Sequence, residues 1–308
     1  MSVAQEVLSA VEDQLVAAPP AGFTAAYIRG FFRRFQGFFL AKLAVLDRAP
    51  EAVAPLLPPG GTPPDLWTER QRTAANLAAL RILAAAEPLG RPLTAEEAAQ
   101  VLRYSGWGGL SIRDNLAQIP EGWRPEEEGL IHEYYTPTLV AREVARVVQP
   151  LLAGLAGDDG LVQALEPSAG IGRFVHSFSG PGFEAVRWTA VEFSRISGRL
   201  LRALRPDVRV FPETPFEKWV AEYEPRVHGK LGLVVSNPPY GPRGGTLTDD
   251  PNREYREQKA YAYFLRRAAD LLRPQGLSVF LIPYGFLTGR GAAQLKLRQR
   301  VLRRHHLS

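Results

Sequence analysis

The chain has 308 residues, of which 45% are hydrophobic, and it carries a net charge of +5. This length is enough for one large α/β domain with a smaller attachment. The sequence contains no cysteine, which excludes disulfides, thiolate nucleophiles and cysteine-ligated zinc and agrees with a reducing cytoplasm. Its five histidines are scattered along the chain, so no metal site is expected.

The N-terminal segment, residues 1–47, is predicted to form two helices. In the second helix aromatic residues recur at mostly helical spacing with basic residues between them, a pattern more typical of a packing face than of a nucleic-acid surface. Its most apolar run, residues 23–46, is broken by four basic residues. We therefore expect an amphipathic helix and no membrane partner. Residues 48–65 are rich in proline and glycine and are predicted to be a linker.

A second helical region is predicted over residues 66–132. One helix spans about Thr68 to Ala86, and a capping box of Thr94 and Glu97 begins another that ends near Tyr104. The segment that follows, Tyr-Ser-Gly-Trp-Gly-Gly over residues 104–109, is unusual in composition. The residues alone leave open whether it is a packing turn or a ligand contact.

The pattern changes over residues 133–308, where short apolar segments alternate with helical ones. Strands are predicted near 161–165, 186–191, 208–211, 231–236 and 277–283, and helices near 138–153, 173–179, 194–204, 258–273 and 291–304. Apolar strands that alternate with helices indicate a parallel sheet covered on both faces. Ligands of such sheets bind at the carboxyl ends of the strands, so the residues just after each strand are the candidate site.

The first candidate motif follows the first strand. It consists of Glu166, Pro167, Ser168, Ala169, Gly170, Ile171 and Gly172. The two glycines would allow the backbone to approach a ligand without a Cβ clash. The motif is not the Gly-x-Gly-x-x-Gly dinucleotide fingerprint, because an acid replaces the first glycine. A carboxylate at this place suits a cationic ligand or an amino group better than a pyrophosphate.

The second candidate motif, Glu192 followed by Phe193, lies at the end of the second strand, 26 residues after Glu166. A carboxylate at this place can accept hydrogen bonds from both ribose hydroxyls of a nucleoside. Alone it could be a surface acid. Combined with the first motif, it indicates an adenosine-type ligand.

The third motif, Asn237-Pro238-Pro239-Tyr240, follows the fourth apolar strand. The two prolines fix the backbone and provide no N–H donor that would compete for the nearby carbonyls. The side-chain oxygen of Asn237 and the carbonyl of Pro238 can therefore both accept from one amino group, which directs the nitrogen lone pair toward an electrophile. The ring of Tyr240 offers a face on which a flipped-out base can stack.

These motifs resemble those of the gamma-class DNA adenine-N6 methyltransferases. Tyr135-Thr136-Pro137 looks like the element that closes over the methionine end of S-adenosylmethionine, 166–174 like the cofactor loop, Glu192 like the ribose-binding acid, and 237–240 like the catalytic motif. The resemblance implies a Rossmann-like methyltransferase sheet with helices on both faces, preceded by an all-helical N-terminal region. It also implies S-adenosylmethionine as cofactor and adenine in double-stranded DNA as substrate. Asn237 would contact both of them.

The chain departs from the family pattern after the third strand. There the family has an acid that binds the cofactor adenine and then an aromatic residue. Pro215 occupies the acid position and Phe216 the aromatic one, so Phe216 is predicted to contact the cofactor. Glu213 and Glu217 are the candidates to replace the missing acid.

Residues 68–137 carry a second resemblance, to the segment that precedes the methylase core in large phage- and plasmid-borne methylase–helicase proteins. It implies a bacterial, phage or plasmid protein of the cytoplasm that works in restriction-modification, phage defence or anti-restriction, with a specificity, helicase or nuclease partner. Two alternatives remain open. One is a methyltransferase acting on protein glutamine or on rRNA, and the other is a non-catalytic module that binds DNA or a partner.

Positive charge is concentrated in the last part of the chain. Residues 231–308 contain 13 Lys/Arg and 5 Asp/Glu, and 290–304 contain six basic residues and no acid. Next to the motifs above, this favours a surface for nucleic-acid phosphates over a merely solvated helix. Because the family's sheets usually have seven strands and only five are predicted, we also expect a piece of a longer protein, with the basic helix against an unpaired sheet edge.

Overall fold

A computed structural model describes residues 67–125, 133, 135–243 and 250–306, together with scattered positions between residues 5 and 33. The chain divides into two units, Met1–Val53 and Ala54–Ser308. In the first unit the described positions are helical except Thr24, which agrees with the helical segment predicted there. The predicted linker lies outside the described residues. None of the described helices is long and apolar enough to cross a membrane.

The second unit begins with two capped helices, α1 (Glu69–Ala86) and α2 (Ala95–Val101). Each starts with a capping box, in which a threonine hydroxyl accepts the N3 backbone N–H and the N3 side chain returns to the threonine N–H. The box of Thr94 and Glu97 is the predicted one, and Thr68 forms another with Gln71. Satisfying these otherwise unpaired donors fixes where both helices begin.

The remaining elements alternate between helices and strands. The strands are β1 (Val162–Glu166), β2 (Val186–Val191), β3 (Arg209–Phe211), β4 (Leu231–Ser236) and β5 (Leu272–Phe280). The helices are α3 (Thr138–Val148), α4 (Leu152–Leu155), α5 (Arg173–Ser177), α6 (Arg195–Leu204), α7 (Phe216–Val227), α8 (Ala260–Ala269), α9 (Gly285–Thr288) and α10 (Ala292–Leu302). Short 3₁₀ helices span Glu87–Leu89, Arg113–Gln118, Gln149–Leu151 and Arg253–Tyr255.

The five strands form one parallel sheet in the order β3-β2-β1-β4-β5. This is the strand order of a doubly wound, Rossmann-like sheet, and the predicted fold class is confirmed. The order reverses between β1 and β4. Connections leave these two strands toward opposite sides of the sheet, and a crevice therefore opens at their carboxyl ends.

Helices cover both faces of the sheet, and consecutive strand residues point to opposite faces. Ala164 packs in one core cluster with α3 and α5, whereas its neighbour Leu165 packs in another with α7 and α8. Val234 and Val235 divide in the same way. Every residue of β4 is buried, as expected for a central parallel strand. The helical region that begins the second unit adds a third cluster, in which Leu80 and Trp107 pack with Ile196 of α6.

The structure differs from the predicted elements in two places. Helix α7 was not predicted, although its buried Phe216, Trp219 and Val220 have helical spacing. Strand β5 begins at Leu272 instead of near residue 277, and α8 ends correspondingly early. The register between β4 and β5 shifts before Leu277, and Gln275 has a φ of 66°. The strand therefore contains a bulge, and its proline and glycine are residues typical of a loop, which is why the sequence predicted a later start.

Strand β5 lies at the edge of the described sheet and is only partly buried. The basic helix α10 buries Leu297 and Val301 in a cluster with Phe286 and residues of α8. Phe280, the last residue of β5, packs against that cluster. The helix thus packs on α8 and α9, and the cluster that it joins reaches the edge strand at Phe280.

Candidate functional site

A cleft of about 730 Å³ opens at the carboxyl ends of β1, β2 and β4. Residues from all the predicted motifs line it: Tyr135, Thr136, Glu166, Pro167, Ser168, Ala169, Gly170, Glu192, Phe193, Phe216, Asn237, Pro238, Pro239 and Tyr240. The two other predicted site residues lie outside the lining. Pro137 caps the start of α3, and Gly172 caps the start of α5.

The glycines of the first motif are required by the backbone and by protein neighbours. Gly170 has a φ of 53°, and an added Cβ would lie 2.7 Å from the Tyr135 ring. Gly172 has a φ of 79°, and an added Cβ would lie 2.3 Å from Leu201. Both positions are left-handed and crowded. At Gly172 the protein neighbour that excludes a Cβ is Leu201, and a ligand contact of Gly172 stays a prediction.

Glu166 ends β1 in the buried floor of the cleft. Its side chain is 2% exposed, and Oε2 is buried without a hydrogen-bond partner in the described part of the chain. Burial raises the pKa of this carboxyl well above its usual value. A buried carboxylate oxygen with no donor is costly unless a ligand supplies one. The floor of the cleft therefore suits a ligand that carries an amino group.

Glu192 follows β2 and holds the glycine turn. Its Oε2 accepts the Gly170 N–H at 2.5 Å, and Oε1 accepts the Ser194 N–H at 2.7 Å. Burial raises the pKa of Glu192 to about 7, although these two backbone hydrogen bonds lower it. Each carboxylate oxygen retains a free lone pair. Glu192 can therefore accept further donors, such as a pair of ribose hydroxyls.

The loop after β4 is tied to both neighbouring motifs. Nδ2 of Asn237 donates to the Thr136 hydroxyl at 3.2 Å, and the Tyr240 hydroxyl donates to Oδ1 of Asn237 at 2.6 Å. The Ser168 hydroxyl bonds the Asn237 carbonyl at 3.2 Å and the Ser236 hydroxyl at 2.9 Å. The amide of Asn237 is thus oriented from both ends. Its oxygen faces Tyr240, whose side chain is 48% exposed.

Tyr135 forms the wall between the glycine turn and α6. Its ring contacts the position of Gly170, and its hydroxyl shares a hydrogen bond of 2.8 Å with Ser197. Burial raises the pKa of Tyr135 well above its usual value. The phenol is therefore neutral and acts as a fixed apolar wall with one polar end.

Neither of the two acids that were candidates to replace the missing adenine contact lines the cleft. Glu213 is largely exposed, pairs with Arg195 at 3.9 Å and lies outside the cleft lining. Glu217 is buried and forms an ion pair of 3.4 Å with Arg243. Thr214 and Phe216 line the cleft at this place instead. A ligand there meets a hydroxyl and an aromatic ring, with no carboxylate from this segment.

Sequence reasoning missed a third acid, Glu133, which also lines the cleft. It is 6% exposed, and its Oε2 accepts the Trp107 N–H at 3.0 Å and the Tyr104 hydroxyl at 3.3 Å. Burial raises its pKa. Its position two residues before Tyr135, in the family-like element, was the available signal. What the sequence could not show is its pairing with residues 104–109, here called the Trp107 turn.

The basic segment 290–304, which contains α10, uses part of its charge within the chain. Arg298 donates to two backbone carbonyls, Arg300 pairs with Glu257, and Arg304 pairs with Asp270. In the part of the chain that the structure describes, three further basic residues have no such partner: Arg290, Lys296 and Arg303. The positive surface expected to bind phosphates is therefore smaller than the six basic residues of segment 290–304 suggest.

Known proteins resemble the chain in part. Residues 202–308 match the family model described as the Eco57I restriction-modification methylase. The chain is also 32% identical over 193 residues to the defense against restriction protein B of Escherichia phage P1. That alignment covers 62% of this chain but 8% of the phage protein, so the chain spans a small part of that relative's length.

Solved structures with a similar chain path are methyltransferases and restriction proteins. A class I S-adenosylmethionine-dependent methyltransferase of Listeria monocytogenes, described as putative, is 14% identical with a TM-score of 0.45, over 76% of this chain and 80% of that one. The methyltransferase subunit of a type I restriction-modification system from Streptococcus thermophilus is 16% identical with a TM-score of 0.41, over 68% and 48%. The strand order of the sheet, and not these likenesses, identifies the fold.

Proposed function

We propose that this chain transfers a methyl group from S-adenosylmethionine to the exocyclic amino group of adenine in DNA. The observation that carries the proposal is the arrangement of the cleft. Its acid-lined part, from β1 and β2, suits a nucleoside with an amino group. This part adjoins the Asn-Pro-Pro-Tyr loop after β4, which suits a second amino group. A cleft with these two halves can hold a methyl donor beside an amine acceptor.

The residues of the acid-lined part fit the cofactor. The unpartnered Oε2 of Glu166 would accept from the amino group of the methionine end. The free lone pairs of Glu192 would accept from the ribose hydroxyls, and Phe216 would contact the adenine ring. Bound there, S-adenosylmethionine supplies the electrophilic methyl group.

The residues of the loop would hold the target amine. Thr136 accepts from the amide nitrogen of Asn237, and the amide oxygen, which accepts the Tyr240 hydroxyl, keeps a lone pair for a ligand. This oxygen and the Pro238 carbonyl would each accept one N–H of the adenine amino group and orient its lone pair toward the methyl. The exposed ring of Tyr240 would stack on the base after it leaves the duplex. Catalysis of this kind is mainly positioning.

DNA as substrate is supported by the matched family model and by the name of the phage relative, which describes defence against restriction. We propose the same setting, restriction-modification or anti-restriction, for this chain. The unpaired basic residues Arg290, Lys296 and Arg303 would add contacts to phosphates. Target specificity would come from a partner or from another part of the assembly.

The test compares methyl acceptors. The purified chain is incubated with radiolabelled S-adenosylmethionine and, in separate reactions, mixed-sequence duplex DNA, rRNA or a glutamine-containing release factor. The proposal predicts incorporation into the DNA alone. Incorporation into the RNA or the protein would replace the proposed substrate, and cofactor binding without transfer to any of them would indicate a non-catalytic module.

A further inference from the structure

The Trp107 turn is bound tightly to α1. Arg72 donates to the carbonyls of Gly106 and Gly108, at 3.3 and 2.9 Å, and to the Ser105 hydroxyl at 3.2 Å. Asn76, which is fully buried, donates to the Gly106 carbonyl and accepts the Ser105 N–H, both at 2.8 Å. Polar side chains of α1 thus fix the backbone of the turn by hydrogen bonds. A turn that served only to pack apolar side chains would not need so many.

The Trp107 turn in turn fixes the position of Glu133. Gly106 has a φ of 78°, and an added Cβ would lie 2.5 Å from the Glu133 carbonyl oxygen. The Trp107 N–H and the Tyr104 hydroxyl both donate to Oε2 of Glu133. A carboxylate has about four acceptor positions, so Glu133 can accept from a ligand in addition to Trp107, Tyr104 and the neighbouring Tyr135 hydroxyl. Glu133 lines the cleft, so the rare residues of the turn converge on a cleft-lining acid.

Two independent observations indicate a cationic ligand at this place. Burial of Glu133 is costly for an ionised carboxylate unless a positive charge approaches it. Glu166 lines the same cleft and has an oxygen without a donor at 2% exposure. An ammonium group has three N–H donors, so a single ligand group can donate to more than one acid of the cleft.

We propose that Glu133, positioned by the Trp107 turn, binds the ammonium group at the methionine end of the cofactor together with Glu166. This inference rests on the proposed function, because it concerns the same cleft. It makes the helical region before the sheet a part of the cofactor site. The Tyr104 and Trp107 contacts then act through Glu133, so both are positioning residues.

The test uses two ligands that differ only at that end. S-Adenosylhomocysteine carries the amino-acid group, whereas methylthioadenosine keeps the nucleoside and lacks it. Their affinities for the wild-type chain, for Glu133→Gln and for Tyr104→Phe are measured by calorimetry. Glu222→Gln, which changes an exposed acid on α7, is the matched control.

Glu133→Gln should weaken S-adenosylhomocysteine binding about 10- to 100-fold, the usual effect of losing a hydrogen bond to a charged group. Tyr104→Phe should weaken it by about threefold to tenfold. Neither variant should change methylthioadenosine binding by more than about twofold, and the control should change neither. If Glu133→Gln does not fold, Tyr104→Phe decides the question.

Equal weakening of both ligands would mean that Glu133 acts only on the fold of the cleft and would overturn the inference. Unchanged affinity for S-adenosylhomocysteine would overturn it as well, while leaving the proposed function intact. A wild-type chain that binds neither ligand would contradict the proposed function itself, and the inference with it.

Discussion

Asn237 and Thr136 are 101 residues apart in the chain, and the Asn237 amide nitrogen donates to the Thr136 hydroxyl at 3.2 Å. This bond joins the loop after β4 to the segment before α3. The amide oxygen then lies toward Tyr240, which also lines the cleft. The residue proposed to bind the target amine is therefore oriented by the element proposed to close over the cofactor.

Asn237→Ala should abolish methyl transfer and leave cofactor affinity within a few-fold of the wild type. Losing one preorganised hydrogen-bonding group that acts in the transition state typically costs about 10²–10³-fold in rate. Transfer rates with labelled cofactor and affinities from calorimetry check the two parts. A variant that retains more than about a tenth of the activity would remove Asn237 from its assigned role.

Substitutions of Tyr240 separate hydrogen bonding from stacking, because the hydroxyl can be removed alone or together with the ring. Tyr240→Phe keeps the stacking face but loses the hydrogen bond to Asn237, so the rate should fall by up to about tenfold. Tyr240→Ala also loses stacking, worth about 1–3 kcal/mol per base. Steady-state kcat and KM for DNA distinguish them. Equal losses for both variants would mean that the ring does not stack on a base.

Glu192 should make the stability of the unliganded chain depend on pH. Its pKa is about 7 when folded and near its ordinary value when unfolded, so the folded state binds the proton more tightly. The free energy of unfolding should therefore decrease as the pH rises from about 4.5 to 7. Glu192→Gln should remove this part of the decrease. Thermal unfolding of both proteins across this range checks it, and parallel curves would contradict it.

The same ionisation should favour the cofactor. A carboxylate accepts hydroxyl donors better when charged, so wild-type affinity for S-adenosylmethionine should rise as the pH increases through about 7. In Glu192→Gln this rise should be smaller. Calorimetry at matched pH values provides the comparison.

Gly170→Ala should distort the first motif. Residue 170 has a left-handed backbone conformation, and the new Cβ would lie 2.7 Å from the Tyr135 ring. Either the turn or Tyr135 must therefore move. We expect loss of cofactor affinity and a lower melting temperature. Gly154→Ala, in α4 with no atom near its added Cβ, is the matched control and should change neither. Cofactor binding by Gly170→Ala at wild-type affinity would show that the turn does not contact the cofactor.

The strands of the sheet and the three motifs could be predicted because their signals are local. A buried parallel strand is a short apolar run, and a ligand-binding loop follows it directly. Strand β1 and strand β4 were accordingly predicted to within a residue. The role of Glu166 as a cleft-lining acid also followed from its place at the carboxyl end of β1, although its cofactor contact remains a prediction.

Features that depend on distant parts of the chain could not be predicted. The Trp107 turn and Glu133 meet only in the folded chain, and no spacing rule connects residues 104–109 with residue 133. Glu217 was a plausible cofactor acid until the structure showed its pairing with Arg243. Helix α7 is different, because its helical spacing was present in the sequence and was overlooked.

The most direct test of the proposed function is to identify the methylated atom. The purified chain is incubated with S-adenosylmethionine and unmethylated mixed-sequence duplex DNA, which is then digested to nucleosides and analysed by mass spectrometry. We predict N6-methyladenine with the wild-type chain and none with Asn237→Ala, while both bind the cofactor. A wild-type chain that binds S-adenosylmethionine and yields methylcytosine, or no methylated base at all, would contradict the proposed function.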